Sequence, residues 1–79
     1  MKNDDVIING IYRHYKGNMY KVIGIANHSE TLEKMVVYKA MYADGDLWVR
    51  PLDMFTECVE INGRAVARFE LVNISKESQ

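Results

Sequence analysis

Apolar positions along this chain stand in short runs or alternate with polar ones, and almost nowhere do they recur at helical spacing. Runs rich in β-branched and aromatic residues are divided by Gly, Asn and Asp, as in small all-β domains. The pattern predicts strands over Ile11 to Tyr15, Met19 to Ala26, Met35 to Tyr42 and Leu47 to Arg50. Gly24, inside the second run, signals a bulge or sharp bend. Asn27 to Glu33 is polar and turn-like. Pro51 suits the first position of a helical turn, with Leu52 and Phe55 on one side. Glu57 to Ile61 and Arg64 to Leu71 then flank Asn62-Gly63, a hairpin signal because both turn positions need positive φ.

The predicted fold is all-β: a small, curled, five- to six-stranded SH3-like barrel with one short helical turn. An OB-like barrel is the second choice, since its longer helix is hard to find here. With 79 residues the chain is one domain. Its expected limits are residues 11–72, with an N-terminal extension over 1–10 and a polar, frayed tail over 73–79. Below about 80 residues a single core rarely supplies more than about 3–5 kcal/mol. Cys58 is the only cysteine, so no disulfide within the chain helps, and the sheet must close on itself or bury area against a second copy. No apolar run approaches the ~18 residues of a membrane span, and the first residues lack a signal-peptide pattern. These features point to a cytosolic protein with no membrane partner.

Turn chemistry also assigns faces. If Asp44-Gly45 is a two-residue turn, Tyr42 faces Leu47, Met41 faces Trp48, Ala40 faces Val49 and Lys39 faces Arg50. Tyr38, Ala40, Tyr42, Leu47 and Val49 then form a core face. Val37, Lys39, Met41, Trp48 and Arg50 form the other, an apolar platform with a cationic rim. Like charges facing each other across strands call for an anion or an acid between them. A longer loop or a one-residue slip would turn Trp48 inward. The second hairpin predicts Ile61 against Arg64, Glu60 against Ala65, Val59 against Val66, Cys58 against Ala67 and an ion pair of Glu57 with Arg68. Cys58 is expected to be buried and inert.

Lysine and arginine total 10 and aspartate and glutamate 11, a net charge of -1, so a strong non-specific nucleic-acid binder is disfavoured. The charge is uneven, because residues 6–29 hold Arg13, Lys16 and Lys21 and no acid. His14 shares a predicted strand face with Tyr12, and one face of this segment is expected to adjoin His28, Glu30 and Thr31 in a pocket. Neither a nucleophile elbow nor a Gly-rich phosphate loop is present. His14, His28 and Glu30 are the sole candidates for a metal shell and lack ligand spacing, so no metal or cofactor is expected.

Several segments, in order, resemble the Domain of Unknown Function 1653 family. They are Tyr12-Arg13-His14-Tyr15-Lys16-Gly17-Asn18, Tyr20-Lys21-Val22, His28-Ser29-Glu30-Thr31, Val36-Val37-Tyr38, Trp48-Val49-Arg50-Pro51, Met54-Phe55, the glycine hairpin and Arg68-Phe69. The resemblance spans about residues 11–70, with Ala67 standing where that family often has proline. It implies a small, mostly bacterial, stand-alone or appended domain, and it brings no activity or catalytic residue. The matching polar positions are His14, Lys16, His28, Glu30, Thr31, Trp48 and Arg50.

These readings together predict a non-catalytic module that binds an anionic ligand, whether nucleic acid, nucleotide or acidic peptide. Its ligand residues would be His14, Lys16, His28, Glu30, Thr31, Lys39, Trp48 and Arg50. The alternatives are an assembly module with a protein partner or second copy, and a small enzyme using His14, His28 and Glu30 as acid–base groups.

Overall fold

The computed structural model describes residues 6–74. Strands β1 (Gly10–His14), β2 (Met19–Asn27), β3 (Lys34–Ala40) and β4 (Leu47–Pro51) lead into a helical turn, α1 (Leu52–Phe55). Strands β5 (Cys58–Ile61), β6 (Arg64–Ala67) and β7 (Phe69–Ile74) follow. Five strands form one antiparallel sheet in the order β4-β3-β2-β1-β7, and β5 and β6 form a separate hairpin. No pairing among the described residues joins β4 to β7, so the sheet stays open where a closed barrel was expected. The fold is all-β with one short helix, and seven strands replace the expected five or six. No helix among the described residues is long and apolar enough to cross a membrane.

The extra strand arises at Arg68. Arg64 to Leu71 reads as one continuous run, yet the chain changes sheets there. The Arg68 N–H donates to the Glu57 carbonyl of the hairpin at 3.1 Å, and its own carbonyl accepts the Tyr15 N–H at 3.0 Å. Arg68 therefore stitches the hairpin to the end of β1, and β7 runs on beside β1. The sheet runs from Gly10 to Ile74. Ser75 to Gln79 of the predicted tail and residues 1–5 of the predicted extension lie outside the described residues.

The predicted irregularity in β2 is present. Val22 pairs with Tyr38 and Gly24 with Val37, which leaves Ile23 as the extra residue of a bulge that bends the strand. Pro51 precedes α1 with φ -54°, and Thr56 closes the turn by donating its hydroxyl to the Leu52 carbonyl at 3.0 Å. This single turn aims Phe55, 1% exposed, into the core. The core is a cluster of Tyr12, Val22, Val36, Tyr38, Phe55 and Phe69, with Val6, Tyr20 and Leu52 packed on it. Phe55 and Phe69 stack at 4.1 Å, and Tyr12 and Tyr38 meet Phe55 edge-on. Burying each large ring contributes about 1.5–3 kcal/mol, so these rings dominate a small core.

The two hairpins fared differently. Asn62 and Gly63 both take positive φ, 52° and 80°, and the β5–β6 register matches the predicted pairs. Glu57 and Arg68 form the expected ion pair at 3.0 Å. Between β3 and β4, Ala40 donates to the Asp46 carbonyl, so residues Met41 to Gly45 make a longer connection in place of a two-residue turn. Tyr38 therefore faces Trp48, Val36 faces Arg50 and Lys39 faces Leu47. The shift reverses the faces of β4. Trp48 and Arg50 lie on the inner face with Tyr38, and Lys39 points to the opposite side. Leu47 and Val49, expected in the core, are 62% and 59% exposed, and Tyr42 is also exposed. Cys58, expected to be buried, is exposed as well.

Candidate functional site

The inner face of the bent sheet carries an aromatic floor built by alternation. Tyr12 and His14 come from β1, Tyr20 from β2, Tyr38 from β3 and Phe69 from β7. Phe69 is the hub. His14 meets it edge-on at 4.9 Å, Tyr20 at 5.7 Å and Tyr38 at 5.4 Å. The Tyr20 hydroxyl bonds that of Tyr42 at 2.9 Å, and burial followed by that bond pushes the Tyr20 pKa up to about 12. Tyr20 is thus a neutral hydroxyl at physiological pH.

Cations gather over this floor. The Arg50 guanidinium lies 5.6 Å from the centre of the Phe69 ring, and its Nε donates to the Tyr38 hydroxyl at 3.3 Å. Arg50 is half-buried, and no carboxylate pairs with it among the described residues. An uncompensated charge in such a place is costly unless something else pairs with it. Arg68 also faces this region. Glu57 takes its Nη2, while its Nε is buried without a hydrogen-bond partner among the described residues. Lys16 lies 5.8 Å from the Tyr15 ring centre, and Tyr15 in turn packs on His14 at 4.6 Å.

His14 registers the whole group. Its pKa is held below the ordinary 6.5 by burial first, then by the positive charges of Arg50, Arg68 and Lys16. Its Nδ1 accepts the Lys16 backbone N–H at 3.2 Å, so the neutral ring carries its proton on Nε2. The arrangement offers an acceptor ligand guanidinium, imidazole and ammonium donors beside aromatic hydroxyls.

Of the residues singled out by sequence, the fold brings together His14, Lys16, Trp48 and Arg50 on this side. His28, Glu30 and Thr31 lie elsewhere. His28 follows the far end of β2, roughly 25 Å along the strand from the end beside His14. Its Nδ1 accepts the Glu30 N–H at 3.0 Å, and the Thr31 hydroxyl accepts the Glu33 N–H at 3.1 Å. The polar residues of that segment close their own turn, so the expected shared pocket with His14 does not form within one chain. Lys39 lies on the outer face and does not oppose Arg50. Arg68 was legible only as an ion-pair partner, because nothing local marks it as the junction between sheets.

The outer side holds an open groove of about 720 Å³ lined by Arg13, Tyr15, Ile61, Val66, Ala67 and Glu70. Its charged residues, Arg13 and Glu70, satisfy each other at 3.0 Å, so it offers apolar surface and no unpaired charge. The inner face is the better ligand candidate for that reason. Among the described residues no three His, Cys, Asp or Glu side chains converge as a metal shell.

A family model described as a protein of unknown function (DUF1653) matches residues 10–71. A crystal structure of a DUF1653 protein from Bordetella bronchiseptica is similar, with a TM-score of 0.79 and 34% identity, over 94% of this chain and 96% of that one. Comparison with curated proteins gave no match.

Proposed function

The chain belongs to the DUF1653 family, and from that premise we propose that it is a non-catalytic module binding an anionic ligand on the inner face of its sheet. One observation carries the reading: Arg50 is half-buried among aromatic rings with no carboxylate beside it among the described residues. Lys16 and Arg68 add positive charge at the same place, beside the neutral His14 ring. We read the open, bent sheet with its helical turn as an SH3-like arrangement left unclosed, which keeps this face reachable. The test is titration of nucleotide, nucleic acid and acidic peptide against wild type and Arg50→Gln. Arg50→Gln should lower affinity for the bound class by about tenfold or more, as for loss of a charged hydrogen-bond donor. Unchanged affinity for every class would overturn the reading.

A second reading, an assembly module, draws on a separate observation. Leu47, Trp48 and Val49 stand exposed in succession on the edge strand β4, which among the described residues pairs only with β3. Sedimentation velocity over a wide concentration range decides it, since a constant monomer mass excludes a second copy as the partner. The acid–base reading of His14, His28 and Glu30 lacks a supporting geometry, because the two histidines lie at opposite ends of β2.

A further inference from the structure

Three cations of the inner face converge at one end instead of forming a track. Lys16, Arg50 and Arg68 bear on His14, which meets the Phe69 ring edge-on at 4.9 Å while Arg50 lies 5.6 Å from that ring's centre. Lys34, also on the inner face by alternation, sits at the far end of β3 opposite Asn27. Arg13 is bonded to Glu70, and Lys21 and Lys39 face each other on the outer side. A nucleic-acid strand or an acidic peptide presents charges in series and needs a cationic groove that follows them. The arrangement of this face suits a single concentrated charge.

Trp48 supplies a second feature. It is 50% exposed and lies two residues from Arg50 on the same face of β4, about 7 Å away along the strand. Tyr12, Tyr15, Tyr20, Tyr38, Tyr42, Phe55 and Phe69 each meet another ring. Trp48 meets none among the described residues. Of the two half-buried arginines, Arg68 has Glu57, and Arg50 has no acid among the described residues. Among the described residues, the aromatic ring without a ring partner therefore adjoins the half-buried guanidinium without a counter-ion.

We propose that the ligand is a small molecule joining one compact oxyanion to one flat ring, with the oxyanion on Arg50, His14 and Lys16 and the ring against Trp48. This rests on the anion-binding reading and narrows it. The oxyanion is a phosphate monoester or a carboxylate. Arg50 offers a planar fork to either, and His14 Nε2–H and the Lys16 ammonium complete the donor set. The ring stacks on the uncovered indole, a contact tolerant of ring identity.

Calorimetric titration tests this with adenosine monophosphate, indole acetate, ribose phosphate, adenosine, an oligothymidine strand and a polyglutamate peptide. Adenosine monophosphate or indole acetate should bind best, and which of them does identifies phosphate or carboxylate as the anion. Loss of the ring, in ribose phosphate, or of the anion, in adenosine, should each cost about tenfold. Trp48→Leu should abolish the advantage over ribose phosphate, and Arg50→Gln the advantage over adenosine. Lys16→Gln, at an exposed position that leaves the core intact, should weaken anion binding in the same direction but less. If oligothymidine or polyglutamate binds more tightly than every single-anion probe and still needs Arg50, this inference is overturned and the broader reading stands. If no probe depends on Arg50, both fall.

Discussion

Two segments of this chain look alike and sit in different surroundings. In each, a histidine precedes a polar run, and its Nδ1 accepts the N–H two residues on, Lys16 for His14 and Glu30 for His28. The local device is the same side-chain-closed turn. What lies beyond the ring differs. His14 packs on Tyr15, Tyr20 and Phe69 near three cations, Lys16, Arg50 and Arg68. His28 is exposed, and the backbone N–H groups of Glu30, Thr31 and Leu32 donate to it within their own turn. A polar motif becomes a site only where the fold sets its free atoms against something unsatisfied.

The sharpest way to break this contrast is to remove what makes the first segment different. Phe69→Ala deletes the ring that His14 and Arg50 share and opens the core beside Phe55. It should cost about 3–5 kcal/mol in denaturant unfolding. A much smaller loss would mean that the floor is not set by this ring. His28→Ala removes the acceptor from its turn and should cost about 1 kcal/mol, with no change in affinity for any anion. Reduced affinity would bring the two segments together functionally after all. Gly63→Ala, at φ 80°, should cost about 1 kcal/mol by straining the hairpin turn while leaving the inner face untouched. A binding defect there would show that the β5–β6 hairpin supports the site through Arg68.

The subtlest difference is in pH response. The pKa of His14 is depressed in the folded protein, so the unfolded chain binds its proton more readily. The stability this contributes is present above the ordinary pKa of 6.5 and is lost as pH falls through it toward the lowered value. Unfolding midpoints taken between about pH 8 and about pH 5 should fall, and His14→Gln should flatten that part of the slope. An anion on the site should work the other way by favouring protonated His14. If His14→Gln keeps the full slope, another group titrates and the cationic cluster does not control His14.

Much of the architecture was legible. The alternating runs placed the first four strands and the helical turn to within a few residues. Asn62-Gly63 gave its hairpin residue for residue, because both turn positions demand a conformation that these two residues adopt readily. Asp44-Gly45 misled because a glycine at positive φ serves a longer connection equally well. Here Ala43 and Gly45 take positive φ, at 53° and 71°, and Gly45 N–H bonds the Tyr42 carbonyl. The break at Arg68 had no local sign, since Ala67 continues a strand pattern without interruption.

For the candidate site, sequence alone supplied the residue types: His14 and Lys16 on one turn, Trp48 and Arg50 on one strand, two apart and so on one face. Which face that was, and what it met, depended on the tertiary structure. Alternation has a period of two and is written locally, so a strand can be recognised without knowing its neighbours. Register is fixed by packing between strands, and a shift by an odd number of residues exchanges the two faces of β4. The pairing of Trp48 with Tyr38 brought Arg50 over Phe69, a residue far along the chain. It is that long-range packing of side chains, absent from any short window of sequence, that gathered the cations on an aromatic floor.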